Sequence, residues 1–277
     1  MTLSIIIVSY NARADLENCL RSLHEPRPTT PHEIIVVDNA SSDGSPDAAR
    51  RWPDVKVIEA GGNRGFAAGN NIGIGASRGA FLLLLNSDTI VPSGAIDRLL
   101  EVSRLHPEAG VIGPRLVDGA GRAELSFGPM LSPIAEWKQK KLIMGHARKD
   151  GAVTARIEAM TRREQRPDWV SGACLLVSRA DAEAVGLLDE RYFMYCEDVD
   201  FCAAVRAQGG RVYFSPHARV VHLRGRSRAT ASVAIDAVYR QSHLAFYRKH
   251  HPRWEPFLRL YLALQGKLPP AGTDKKG

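Results

Sequence analysis

The sequence predicts an α/β protein built on a mostly parallel sheet, and three observations carry that prediction. Short runs such as Leu3 to Tyr10 and Phe81 to Leu85 are apolar on every side and too short to span a membrane, which fits strands covered on both faces. Such runs alternate with helical patterns from residue 1 to about 105, the order expected of right-handed crossovers in a parallel sheet. The strands also end in small polar residues, foremost Asn86-Ser87-Asp88. In open α/β sheets the carboxyl edge of the strands is where ligands bind.

In chain order, Leu3 to Tyr10 is the first strand, and Leu16, Cys19, Leu20 and Leu23 then repeat at helical spacing. Residues 24 to 32, with three prolines, read as a loop before the strand Glu33 to Val37. Ser45-Pro46-Asp47 has the form of a helix cap followed by proline and an acid. Val55 to Ile58 is a third strand, running into the glycine-rich and asparagine-rich stretch 61 to 71 and a helix to Ser77. After Phe81 to Leu85, Ser93 is expected to cap a helix to Leu105. Val111 to Phe127 reads as a hairpin about Asp118-Gly119, Ser132-Pro133 opens a basic helix, and Arg148 to Gln165 reads as polar and irregular. Cys174 to Val177 is a strand, Arg179 to Val185 a helix stopped by Gly186, and a further helix ends at Gly209-Gly210. Arg211 to Phe214 is a strand, and helices from Ser232 to His250 and Trp254 to Leu264 form the tail.

This pattern divides the chain into a domain over residues 1–228, with a nucleotide-binding half over 1–105 and an acceptor and catalytic half over 106–228. A basic helical extension covers 229–277. Of 277 residues, 44% are hydrophobic and 24% charged, the balance of a globular domain. No apolar run reaches the roughly 18 residues of a membrane helix, and the start lacks a signal-peptide pattern, so a cytoplasmic protein is expected. Cys19, Cys174, Cys196 and Cys202 form no CxxC pair and are expected reduced and packed. The net charge of +7 comes from the tail: residues 221–277 hold 11 Lys and Arg against 3 Asp and Glu. Nothing beside that charge forms a nucleic-acid recognition pattern.

Acids and amides stand at four strand exits: Asn11, Asp38 with Asp43, Asn63 with Asn70, and Asn86 with Asp88. Each alone is turn chemistry; together on one sheet edge they suggest a polar ligand. With neither GxGxxG after the first strand nor GxxxxGK[ST], a dinucleotide fold or P-loop is not indicated. Carboxylates and amides suit a base and ribose, with a diphosphate held through Mg²⁺ or Mn²⁺. Glu197-Asp198-Val199-Asp200 is a second acidic cluster, approached by aromatic residues whose apolar surroundings would raise a carboxyl pKa. The plainer reading is a set of acids at a helix N-terminus.

As a set, these pieces resemble the inverting nucleotide-sugar transferases of glycosyltransferase family 2, GT-A fold, and within it the rhamnosyltransferase-like members. The matching segments are VSYN at 8–11, VVDNASSDGS at 36–45, NRGFAAGNN at 63–71, LLLNSD at 83–88, WVSGACLLVSR at 169–179, LDERYFMYCEDVD at 188–200 and VHLRGRS at 221–227. The resemblance implies a Rossmann-like sheet with flanking helices, and a donor site formed by Ser9, Tyr10, Asn11, Asp38, Asn63, Gly65, Asn70, Asn86, Ser87 and Arg226. Asp88 and His222 match the metal ligands, Asp198 the catalytic base beside Glu197, and Trp169 and Gly172 the acceptor site. Asn86 departs from the frequent Asp-x-Asp motif and brings no charge to the metal. The implied reaction moves a sugar, L-rhamnose from dTDP-L-rhamnose or another dTDP- or UDP-linked donor, to a saccharide or lipid-linked acceptor in cell-surface polysaccharide synthesis. The basic tail would touch the inner face of the membrane. A nucleotide-sugar-binding protein without activity and a sugar-1-phosphate nucleotidyltransferase are the alternatives.

Overall fold

A computed structural model describes residues 2–223 and 232–269. The first half runs β1 (Leu3–Ser9), α1 (Arg13–His24), β2 (His32–Asp38), α2 (Ser45–Arg50), β3 (Val55–Glu59), α3 (Gly65–Gly75), β4 (Phe81–Asn86), β5 (Thr89–Ile90) and α4 (Ala95–Leu105). The second half runs β6 (Ala109–Val117), β7 (Phe127–Gly128), α5 (Pro133–Ala147), α6 (Gly151–Thr161), β8 (Trp169–Val170), β9 (Cys174–Ser178), α7 (Arg179–Ala184), α8 (Glu197–Ala207) and β10 (Arg211–His222). Two helices follow, α9 (Ser232–His250) and α10 (Glu255–Leu264).

Eight strands form one sheet in the order β3-β2-β1-β4-β9-β6-β10-β5. The block β3, β2, β1, β4 is parallel, as the alternating pattern requires. β9 then inserts antiparallel between β4 and β6. The sheet is therefore mixed beyond β4, with β9 lying between β4 and β6 although it follows both in the chain. The strands of the parallel block are apolar throughout because both faces are covered: Ile5 and Ile7 join one core cluster with α1 and α4, while Ile6 joins another with α3 and α8. All four cysteines are free and buried.

Several expected elements differ. The hairpin over 111–127 reduces to one bridge, Val117 to Ala123, closed by a turn in which the Asp118 carboxylate accepts the Ala120 and Arg122 N–H groups. The irregular stretch 148–165 contains α6, whose Ile157 is buried and whose Glu158 binds Arg115 and the Ala123 N–H. Asp150 caps its start by accepting the Val153 N–H, and these tertiary contacts hold it to the domain. The strand expected at Arg211 to Phe214 continues to His222 past an irregularity between Ser215 and Arg219. Gly44 and Gly94, both left-handed, occupy the cap positions expected of Ser45 and Ser93.

Candidate active site

Register brings the strand exits together: Ser9 pairs with Asp38 and Val8 with Asn86, so β1, β2 and β4 end at one edge. There Ser41 N–H donates to Asp38 Oδ2 at 2.9 Å, and Asn11, left-handed at φ 48°, accepts the Ser42 N–H at 2.8 Å. The Asn11 amide oxygen thus holds the loop after β2. Tyr10 is exposed beside it, and Asn63 accepts the Gly65 N–H at 3.2 Å as a turn residue. Four buried atoms at this edge have no hydrogen-bond partner: Ser9 Oγ, Asp38 Oδ1, Asn39 Oδ1 and Asn70 Oδ1. Buried polar atoms are nearly always paired, so such a concentration marks a place where the missing partner comes from outside the chain.

Asn39, unremarked in the sequence, donates from Nδ2 to Gly65 O at 3.0 Å and so ties β2 to the start of α3. Gly65 has φ +84°, and a Cβ there would lie 2.1 Å from Phe193 O. The absence of a side chain lets Phe66 N–H donate to Phe193 O at 2.7 Å, joining the start of α3 to the loop before α8.

At the far side of the edge, β5 follows Asp88 directly and pairs antiparallel with the end of β10, Thr89 opposite His222. That pairing sets His222 Nε2 3.3 Å from Asp88 Oδ1 and 3.5 Å from the Asn86 side-chain nitrogen. The other ring nitrogen faces Glu124 Oε2 at 3.2 Å. Burial alone would lower the His222 pKa, but its bonds to Asp88 and Glu124 outweigh burial and push it up to about 9. Glu124 was missed by sequence reasoning; the only signal was an acid in an otherwise buried segment, Ala123 to Ser126.

Among the described residues no group of three or more His, Cys, Asp or Glu side chains is arranged to hold a metal ion. The donor chemistry nonetheless fits a divalent cation shared with a substrate. A carboxylate and an imidazole nitrogen converge, and the second ring nitrogen is fixed by a carboxylate, the outer-sphere arrangement usual for metal-bound histidine. Arg226 lies outside the described residues, and Ser87 is half-buried in the turn before Asp88.

Asp198 stands in the first turn of α8, entered through two left-handed residues, Tyr195 at φ 73° and Cys196 at φ 67°. Non-glycine residues pay roughly 1–2 kcal/mol each for that conformation, a cost tolerated most often at functional sites. Asp198 Oδ2 accepts the Gly172 N–H at 2.9 Å and Oδ1 the Val199 N–H at 2.8 Å. Burial raises its pKa, and these N–H donors oppose the rise without cancelling it. Glu197 is more deeply buried, with Oε2 unpartnered; burial first and the Asp198 charge second hold its pKa well above the carboxylate range. Asp200 differs: it binds Tyr192, Lys249 and His250, and so anchors α9.

Gly172 and Ala173 link the two carboxylate groups. Asn86 N–H donates to Ala173 O at 2.9 Å while Gly172 N–H holds Asp198, so Asp198 and the end of β4, two residues before Asp88, meet adjacent residues of chain. A Cβ on Gly172 would sit 3.3 Å from both Asp198 Cβ and Phe66 Cε1, so the glycine sets the approach of α8 to α3. Trp169 is 9% exposed and its indole N–H donates to Pro129 O, so what it contributes on these contacts is packing.

Comparison with known proteins identifies the family and the fold. Residues 4–164 match the family described as Glycosyl transferase family 2. A relative from Mycobacterium tuberculosis, an N-acetylglucosaminyl-diphospho-decaprenol L-rhamnosyltransferase, is 31% identical over 264 residues, 91% of this chain and 86% of its own. Among solved structures, the mannosyltransferase PcManGT from Pyrobaculum calidifontis, in complex with GDP-Man and Mn2+, superimposes with a TM-score of 0.63 at 20% identity, over 97% of this chain and 72% of that one. GalNAc-T7 with UDP, GalNAc and Mn2+ gives 0.59 at 18% identity, over 99% of this chain and 59% of that one. The fold is the GT-A arrangement, and the chain belongs to glycosyltransferase family 2.

Proposed function

We propose that the protein is an inverting glycosyltransferase that moves L-rhamnose from dTDP-L-rhamnose to a lipid-linked saccharide acceptor in cell-surface polysaccharide synthesis. The observation that supports the reading is the link through Gly172 and Ala173, which ties the Asp198 carboxylate and the end of β4 before Asp88 to adjacent residues. The relative's L-rhamnosyl activity on a lipid-linked N-acetylglucosamine supports the choice of donor and acceptor.

The unpartnered oxygens of Asp38, Asn39 and Asn70, with the Ser9 hydroxyl, would receive the N–H and O–H groups of the base and ribose. Asp88 and His222, with Asn86 beside them, would hold Mg²⁺ or Mn²⁺ against the diphosphate. When bound, that cation supplies compensation for the charge of the departing nucleoside diphosphate. Asp198 takes the proton of the acceptor hydroxyl as its oxygen attacks the anomeric carbon; the bond to the phosphate oxygen breaks and its electron pair leaves with the diphosphate. A carboxylate whose pKa is raised by burial is the stronger base for this step. One base and one displacement invert the configuration, as in the base half of an inverting glycosidase with a sugar hydroxyl in place of water. A peripheral membrane contact through the C-terminal region would bring the enzyme to such an acceptor.

A thermal-shift panel of nucleotide sugars, with and without Mn²⁺, tests the donor. The largest stabilisation is expected from dTDP-L-rhamnose with the metal, since ligand that binds only the folded state at 100 times its Kd adds about 2.7 kcal/mol. Stabilisation by no nucleotide sugar would contradict the reading.

A further inference from the structure

Most surface helices turn their apolar residues inward. Helix α10 does so with Leu258 and Leu262, yet its outward face is apolar as well. Phe257 is 65% exposed, Leu260 58%, Tyr261 55% and Leu264 80%, and the helix's own Arg259 is turned to the flank, paired with Glu255. Trp254, at the start of the helix, is 52% exposed. Helix α5 has a related character: no residue of it is buried, and Ile134, Trp137 and Met144 are exposed on one side. Lys141 lies on that side, with Nζ 3.8 Å from the centre of the Trp137 ring.

The two helices begin at one junction. His251, where α9 gives way to α10, faces Leu131 O at 2.6 Å just before α5. In the first turn of α5, Glu136 accepts the Tyr247 hydroxyl at 2.6 Å and faces His243 Nε2 at 2.9 Å. From that junction a path of rings, His243 to Tyr239 at 5.5 Å and Tyr239 to Tyr195 at 5.7 Å, leads to the segment that carries Asp198.

We infer that the outward faces of α10 and the start of α5 form a docking surface for an anionic lipid bilayer, with the α10 side chains seated among the headgroups and upper acyl chains. Large amphipathic rings bordered by lysines are the chemistry of the membrane interface, where the ring is buried and the ammonium stays with the phosphates. The charge is complementary: among the described residues, 232–269 carry 6 Lys and Arg against 2 Asp and Glu, and Lys138, Lys140 and Lys141 add to them from α5. The same lysines disfavour a second copy as occupant, since a twofold contact about α5 would oppose like charges. The contact is interfacial, because among the described residues no helix is long and apolar enough to cross a membrane. The inference deepens the membrane contact of the proposed function by assigning it to an apolar face rather than to tail charge alone, and the reading of that face as the acceptor's approach rests on the transferase proposal.

The test is flotation of the full chain with vesicles of phosphatidylcholine containing about a third phosphatidylglycerol, beside F257S/L260S/L264S. The wild type is expected to float at low salt, and the triple variant to lose about 100-fold in partitioning, given the area of three large apolar side chains. The three sites are exposed, so an unchanged melting temperature and circular dichroism spectrum should accompany the loss. Quenching of tryptophan fluorescence by brominated lipid, present in the wild type and absent in the variant, would support insertion. Wild-type protein that stays with the solvent, or a variant that floats equally well, overturns the inference. So does a concentration-dependent dimer in sedimentation that the variant abolishes while vesicle affinity is nil. Vesicle binding is read without donor or acceptor, so an inactive chain that still floats supports this surface while contradicting the transferase reading.

Discussion

Asp198→Asn removes the proposed base with little change in shape, and the structure sets what else it should do. Asp198 accepts one N–H at each oxygen, Gly172 at 2.9 Å and Val199 at 2.8 Å. An asparagine keeps one of these bonds and turns its NH₂ toward the other donor. Losing a charge-assisted bond costs about 1.5–3 kcal/mol, while removing a carboxylate that burial disfavours returns part of that. The net change in stability should be about 1 kcal/mol, a fall of about 2 °C in Tm for a chain of this size. Removing a general base costs about 10²- to 10⁴-fold in rate, about 2.7–5.4 kcal/mol of barrier. Initial rates of transfer and calorimetric binding of the nucleoside diphosphate separate the two effects: kcat should fall by at least about 100-fold while nucleotide Kd stays within about threefold. Because the base acts ionised, the wild-type rate should fall as pH drops through a pKa raised above the ordinary carboxylate range, and the variant should lose that limb. Transfer by Asp198→Asn at the wild-type rate would refute the assignment of the base.

The remaining expectations concern the proposed metal pair, the Phe66–Phe193 junction and the anchor of α9. Chelation with EDTA should abolish transfer and Mn²⁺ restore it, and His222→Ala should remove the Mn²⁺ dependence of the nucleotide-induced thermal shift; full activity in EDTA would take Asp88 and His222 out of that role. Gly65→Ala requires a left-handed alanine, about 1–2 kcal/mol, and separates Phe66 from Phe193, where the added Cβ would stand 2.1 Å from an oxygen; a loss of about 3 kcal/mol or more in chemical denaturation is expected. Burial would raise the pKa of Asp200, but the bonds from His250 and Lys249 outweigh it and hold the carboxyl below its usual range. Its contribution to stability is therefore present above the unfolded value near 3.9 and lost as pH falls through the folded one. Lys249→Met should narrow that acid window and lower stability at neutral pH by about 1–3 kcal/mol, seen by calorimetry, less than a fully buried pair because the lysine is partly exposed and His250 remains.

The parallel half of the fold was legible because its strands are covered on both faces, and short apolar runs such as Phe81 to Leu85 alternate there with helical patterns. The insertion of β9 antiparallel to β4 was not, since a buried strand carries the same apolar pattern in either direction. Helix α6 escaped because little of it is buried and a distant partner, Arg115, helps to hold it. In the candidate site, Asp38 and Asp88 stood out at the ends of apolar runs, Asp198 in an acidic cluster and Asn70 in a glycine- and asparagine-rich stretch, while His222 came from the resemblance. Glu124 and Asn39 did not, because their significance lies in what they touch, the His222 ring and the Gly65 carbonyl, and neither contact is local in sequence. Gly172, which the resemblance places near the acceptor, also donates its N–H to the Asp198 carboxylate, a contact the sequence does not show.

The central claim is a single displacement with Asp198 as base, and the anomeric configuration of the product tests it most directly. With dTDP-L-rhamnose, Mn²⁺ and an N-acetylglucosaminyl diphospholipid, proton and carbon NMR of the transferred rhamnose should show the anomer opposite to that of the donor. A product that keeps the donor's configuration would contradict the account.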